Sequence, residues 1–80
     1  MKTIVYTTIA AKQFDALPEE IREQIAAGLD RYAMTGMGDV AQLKDRPERR
    51  LRIGRYRIIF AEDAVTVLAI QIGARQTNTY

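Results

Sequence analysis

The run Arg50-Leu51-Arg52-Ile53-Gly54-Arg55-Tyr56-Arg57-Ile58-Ile59-Phe60 constrains the fold more than any other stretch. Basic and apolar residues alternate on both sides of Gly54-Arg55. That is the pattern of two half-buried strands joined by a two-residue loop with glycine at its first position. Such a loop fixes the register. Ile53 pairs with Tyr56, Arg52 with Arg57, Leu51 with Ile58 and Arg50 with Ile59. Residues directly opposite share a face, and side chains repeat every second residue. One face therefore collects Leu51, Ile53, Tyr56, Ile58 and Phe60 and has to cover a core. The other collects Arg50, Arg52 and Arg57. Like charges placed opposite each other cost a few tenths to about 1 kcal/mol. Folding gains nothing from gathering three guanidiniums, and a local rule broken at a cost to stability is expected at a functional site.

The rest of the chain supplies what that hairpin must pack against. Ile4-Val5-Tyr6 with its flanking threonines reads as a short strand. From about Thr8, the spacing of Ala11, Phe14 and Leu17 predicts a short helix. Pro18 followed by Glu19 and Glu20 is a helix start. Ile21, Ile25, Leu29 and Tyr32 then form the buried stripe of a second helix running to about Ala33. Gly36 and Gly38 end it. Residues 36–47 read as a connector anchored by Val40 and Leu43 and closed by Pro47. After the hairpin, Glu62-Asp63 makes a tight turn into a third strand, Val65 to Ile72, which Gly73 stops. Strand, two helices and a three-stranded antiparallel meander make an α+β fold with the helices on one sheet face. The 80 residues are read as a single domain spanning 1–80.

Composition narrows the chemistry. There is no cysteine and no histidine. Disulfides, thiolate catalysis, imidazole bases and His/Cys metal sites are all excluded. No metal and no cofactor is expected. No apolar run is long enough to span a membrane, and the first residues lack the apolar core of a signal peptide, so a cytoplasmic location is expected. Any chemistry must run on Arg, Lys, Tyr, Asp and Glu.

Charge is distributed unevenly. Residues 1–43 carry four basic and six acidic groups, and residues 44–80 carry eight and four. Between Lys44 and Arg57, seven cations (Lys44, Arg46, Arg49, Arg50, Arg52, Arg55 and Arg57) face only Asp45 and Glu48. Such a run can be an ordinary solvated face. Six of the seven are Arg, the side chain suited to bidentate phosphate contact. Phosphodiester is the natural polyanion partner, with Lys44, Arg50, Arg52 and Arg55 as candidate phosphate-backbone-binding residues.

At these positions the chain resembles the RelE/ParE superfamily of bacterial type II toxins, closer to the RelE-like branch. Residues 50–60 resemble that family's "RLRVGDYRVIY" stretch. Leu17-Pro18 resembles its "LP" helix start. Gly38-Asp39-Val40-Ala41-Gln42-Leu43-Lys44 resembles its "GDVKKLKG" connector, and Ile70-Gln71-Ile72-Gly73-Ala74-Arg75 its "RIGHR" strand end. The resemblance covers nearly the whole chain in the right order and implies the RelE-like small ribonuclease fold. It also implies a ribosome-dependent endoribonuclease that cuts messenger RNA in the ribosomal A site and arrests translation. The family's basic sheet positions fall on Arg50, Arg52 and Arg57. Its arginine after the last strand falls on Arg75, and its C-terminal tyrosine on Tyr80. Arg57, Arg75 and Tyr80 are thereby the candidate catalytic residues, and for Lys44, Arg50, Arg52 and Arg55 the resemblance implies RNA as the backbone bound. Where many relatives carry histidine or lysine before that arginine, this chain has Ala74.

Such cleavage needs no protein nucleophile, because the 2′-hydroxyl attacks the adjacent phosphate. The protein must align the attack, stabilise the developing charge and move two protons. Without histidine, the candidate base is Tyr80, its pKa lowered by surrounding arginines. The expected partners are a cognate antitoxin, the ribosome and messenger RNA. The ParE-like branch shares the fold but poisons DNA gyrase, which makes gyrase the alternative partner. A non-catalytic RNA-binding module is the third reading. Against it, the arginine face has little aromatic interleaving for base stacking.

Overall fold

The computed structural model describes residues 1–74. Two helices pack on one face of a five-stranded sheet. The order along the chain is β1 (Thr3–Tyr6), α1 (Thr8–Asp15), α2 (Glu19–Thr35), β2 (Asp39–Gln42), β3 (Arg49–Ile53), β4 (Tyr56–Glu62) and β5 (Thr66–Ala74). Across the sheet the strands run β1-β5-β4-β3-β2. The meander from β2 to β5 is antiparallel throughout, and β1 joins β5 in parallel. The sheet is therefore mixed.

Local chemistry sets the element ends. The Thr7 hydroxyl accepts from the Ala10 N–H and caps α1. Pro18 is the N-cap of α2, one position before the first-turn place the sequence suggested, with Glu19 and Glu20 in the first turn. Gly36 ends α2 at φ 75°, a left-handed conformation that costs glycine little. The buried stripe of α2 is Ile25, Leu29, Tyr32 and Ala33. It packs with Ala10 of α1 on Leu51, Ile58, Phe60, Val67, Ala69 and Ile72 of the sheet. A Cβ on Gly28 would lie 2.5 Å from Ile53 Cδ1, so glycine here lets α2 press against the end of the hairpin.

The β3–β4 register is Ile53↔Tyr56, Arg52↔Arg57, Leu51↔Ile58 and Arg50↔Ile59, as the two-residue loop dictates. Gly54 takes φ 57° in that loop. Two expectations need correction. The connector 36–47 contains β2, which pairs with β3 through Asp39↔Arg52 and Ala41↔Arg50. β2 offers one half-buried branched residue, Val40, so its strand character comes from its neighbour rather than its own pattern. And Gly73 does not stop the last strand. β5 runs on to Ala74, carried by the pairs Arg57↔Gly73 and Tyr56↔Ala74.

Candidate nucleic-acid interface

The helices leave one sheet face open, and register decides what lies on it. Two rows cross the sheet there: Asp39, Arg52, Arg57 and Gly73, then Ala41, Arg50, Ile59 and Gln71. Arg50, Arg52 and Arg57 thus share one face, away from the helices. Ile58 and Ile59 form a double apolar step because both faces need one. Ile58 belongs to the helix-side core, whereas Ile59, 2% exposed, is buried on the open face. Its neighbours there by register are Arg50 and Gln71, with Arg57 two residues away. The aliphatic stems of long cations cover apolar surface while their heads reach water.

This corrects the expectation that folding gains nothing from the three arginines. Arg50 and Arg57 neighbour the buried Ile59 by register, where their aliphatic stems can shield it, and the Asp39 carboxylate pairs with Arg50 and Arg52. Asp39 Oδ2 is 2.7 Å from an Arg52 terminal nitrogen, and Asp39 Oδ1 is 4.0 Å from one of Arg50. Among the described residues the Arg50 Nε is buried without a hydrogen-bond partner. Sequence reasoning missed Asp39 as part of the site. The signal was the strand register of β2, which nothing within residues 36–47 reveals.

The cations between Lys44 and Arg57 do not act as one patch. Arg49 points to the helix side and donates to Glu62 at 3.1 Å. Arg46 pairs with Glu48 at 3.1 Å. Lys44 lies in the β2–β3 turn and Arg55 in the β3–β4 loop, both exposed. The structure brings Arg50, Arg52 and Arg57 together and leaves Lys44 and Arg55 on the loops at either end of β3. Arg75 and Tyr80 lie outside the described residues. Among the described residues no group of three or more carboxylates could hold a metal ion.

A base for RNA cleavage is not supplied by the tyrosines of the core. Burial raises the Tyr6 hydroxyl above its ordinary pKa, with Asp30 adding to the shift. Burial also raises Tyr32, and its hydrogen bond to Glu62 reinforces this. Both rings lie on the helix side, Tyr6 against Phe14 and Tyr32 edge-on to Phe60. What the open face can do is bind an anion. Three guanidiniums on two adjacent central strands present fork-shaped donors at fixed spacing, which suits phosphate oxygens.

No family model matches the sequence, and a comparison with curated proteins finds no relative. Solved structures do match. The isolated RelE toxin of E. coli superposes with a TM-score of 0.80 at 15% identity, over 99% of this chain and 89% of that one. RelE in the archaeal RelE–RelB complex of Pyrococcus horikoshii gives 0.78 at 17% identity, over 94% and 96%. A YoeB/ParE toxin from Agrobacterium tumefaciens gives 0.75 at 18% identity, over 92% and 98%. The open arginine face is therefore carried on the fold of the RelE/ParE toxin superfamily.

Proposed function

We propose that this protein is the toxin of a type II toxin–antitoxin system, with residues 1–80 forming one toxin domain that acts in the cytoplasm as a ribosome-dependent messenger RNA endoribonuclease. The observation that carries the reading is the open sheet face of a RelE-like fold holding Arg50, Arg52 and Arg57 in register. Fold alone does not fix function, because one fold hosts many. The arginine face supplies the chemistry. Structural neighbours solved as toxin–antitoxin complexes support a cognate antitoxin as partner.

In this reading Arg50 and Arg52 hold the RNA backbone, with Lys44 and Arg55 extending the contact along it. Arg57 and Arg75 stabilise the charge that develops on the scissile phosphate. The 2′-oxygen bonds to phosphorus, and the bond to the 5′-oxygen breaks. Tyr80 takes the 2′-hydroxyl proton, and the leaving 5′-oxygen gains one from solvent or a neighbouring group. The products are a 2′,3′-cyclic phosphate and a 5′-hydroxyl end. The ribosome positions the message, which lowers the demand on the protein's own groups.

The test is primer extension on messages from cells expressing each form, beside a gyrase supercoiling assay. Arg57→Ala and Arg75→Ala should each remove growth arrest in a folded protein, since one transition-state donor is worth roughly 10²–10³ in rate. Tyr80→Phe keeps the ring and removes the ionisable oxygen, so new RNA ends should fade. Supercoiling inhibition with no new RNA ends would assign the protein to the gyrase-poisoning alternative. RNA binding without cleavage would leave a non-catalytic module.

A further inference from the structure

We propose that Asp39 is an internal counter-anion of the arginine face, occupying the place an RNA phosphate takes and thereby setting how tightly the face binds RNA. The inference rests on the RNA-binding reading above and adds a regulating residue to the same site. One carboxylate addresses two guanidiniums, through Oδ2 to Arg52 at 2.7 Å and Oδ1 to Arg50 at 4.0 Å. A phosphodiester presents two oxygens to the same pair of forks in a similar way. Asp39 and Arg52 are direct cross-strand partners, so the contact is built into the register and is not a chance surface meeting.

The pair is also placed to open. Asp39 begins β2, an edge strand of four residues paired on one side by β3. Its side chain is 46% exposed, against 37% for Arg52 and 23% for Arg50. The carboxylate is at the rim and the cations are anchored further in. Exposed ion pairs of this kind are weak, so an incoming polyanion can displace the carboxylate. Until it does, the carboxylate neutralises Arg52 and repels phosphates. The face then admits an RNA that makes several contacts at once and turns away single weak anions.

Binding and its salt dependence distinguish this from a purely structural aspartate. An uncleavable, 2′-O-methylated single-stranded oligonucleotide with a fluorescent label is titrated with the full chain, and anisotropy is read across a range of salt concentrations. Asp39→Asn keeps shape and removes charge. It should tighten binding about two- to fivefold, the range an exposed ion pair spans. It should also steepen the slope of log affinity against log salt by about 0.7, one further phosphate contact released from internal neutralisation. Combined with Arg52→Ala, the same substitution should do much less, because the group it unmasks is gone. Asp39→Ser repeats the test should the amide lower the melting temperature. Unchanged or weaker binding by Asp39→Asn, with Arg52→Ala alone still weakening binding, overturns the role of Asp39 and leaves the RNA-binding reading standing. Arg52→Ala binding as tightly as the parent chain overturns both.

Discussion

Glu62 shows how much one side chain can join and how its role escapes a local reading. Beside Asp63 it reads as half of a turn, and Asp63 does make that turn, accepting from the Val65 and Thr66 N–H groups. Glu62 is instead the last residue of β4, on the helix side by the period-two rule from Phe60. There it accepts from Lys2 Nζ at 2.6 Å, from Arg49 and from the Tyr32 hydroxyl. Four elements or their flanks meet at this carboxylate. Burial alone would raise its pKa, but the hydrogen bonds from Lys2 and Tyr32 and the charges of Lys2 and Arg49 outweigh burial and hold it below the ordinary carboxylate value. A depressed folded-state pKa means the stabilisation is complete above the unfolded value of 4.5 and is lost as pH falls through the folded one. Glu62→Gln should cost about 1–2 kcal/mol at neutral pH. It should also flatten the loss of stability below about pH 4.5, leaving what Asp63 contributes, since that carboxyl is lowered too by its backbone hydrogen bonds. Urea midpoints at neutral and acid pH measure both effects. A variant whose midpoint falls as steeply with acid as the parent's would exclude Glu62 as the acid-sensitive tie.

Elements defined by their own residues were legible, and elements defined by distant ones were not. The β3–β4 hairpin has its alternation, its loop glycine and both strands within one short run, so register and faces followed from the sequence. α2 carries its stripe and end signals locally, whereas α1 buries Ala10 instead of the expected Ala11, and Leu17 lies beyond its end at Asp15. β2 borrows its strand character from β3. The parallel pairing of β1 to β5 joins Thr3 to Thr66 across almost the whole chain and has no local signature. The outer edge of β5 beyond Ala69 is likewise closed by something sequence patterns do not show. β1 ends at Tyr6, and α1 takes over its role. The Thr7 hydroxyl donates to the Ile70 carbonyl at 3.0 Å, and the Gln13 Oε1 accepts from the Ile72 N–H at 2.6 Å. A helix side chain thus does the work of a missing strand and keeps the edge from pairing with another chain. Gln13→Leu should leave the Ile72 N–H without that acceptor, at a cost of about 1–3 kcal/mol. Gln13→Glu, which keeps an acceptor oxygen, should retain most of the stability. Amide exchange at Ile72 is the direct reading, and undiminished protection in Gln13→Leu would show that the bond is dispensable.

At the scale of the whole molecule, the charge asymmetry between the two halves of the sequence becomes an asymmetry between layers. α2 turns Ile25, Leu29, Tyr32 and Ala33 inward. Helical spacing then carries the exposed Glu20 and Glu23 to its far side, away from the sheet. The arginines lie on the opposite surface of the sheet. The shortest extent of the described residues is 23 Å, about two Debye lengths in 0.1 M salt, so charges on opposite surfaces of the layers are largely screened from each other. On the proposed reading, the open face should matter more for RNA binding than the formal net charge of +2. Two double substitutions with equal and opposite charge changes separate these ideas. Glu20→Gln/Glu23→Gln raises the net charge by two, and Arg50→Ala/Arg52→Ala lowers it by two. If net charge governs association with RNA, the first should tighten binding about as much as the second weakens it. If the open face governs it, the helix variant should bind within about twofold of the parent at 0.1 M salt. The arginine variant should lose affinity about tenfold or more, with a salt slope shallower by about 0.7 for the contact of Arg50, since Asp39 already neutralises Arg52 in the parent chain. Anisotropy titrations of both variants against one labelled single-stranded RNA make the comparison. Equal and opposite shifts would mean the protein attracts RNA as a diffuse cation, and the arginine rows would lose their standing as its binding surface.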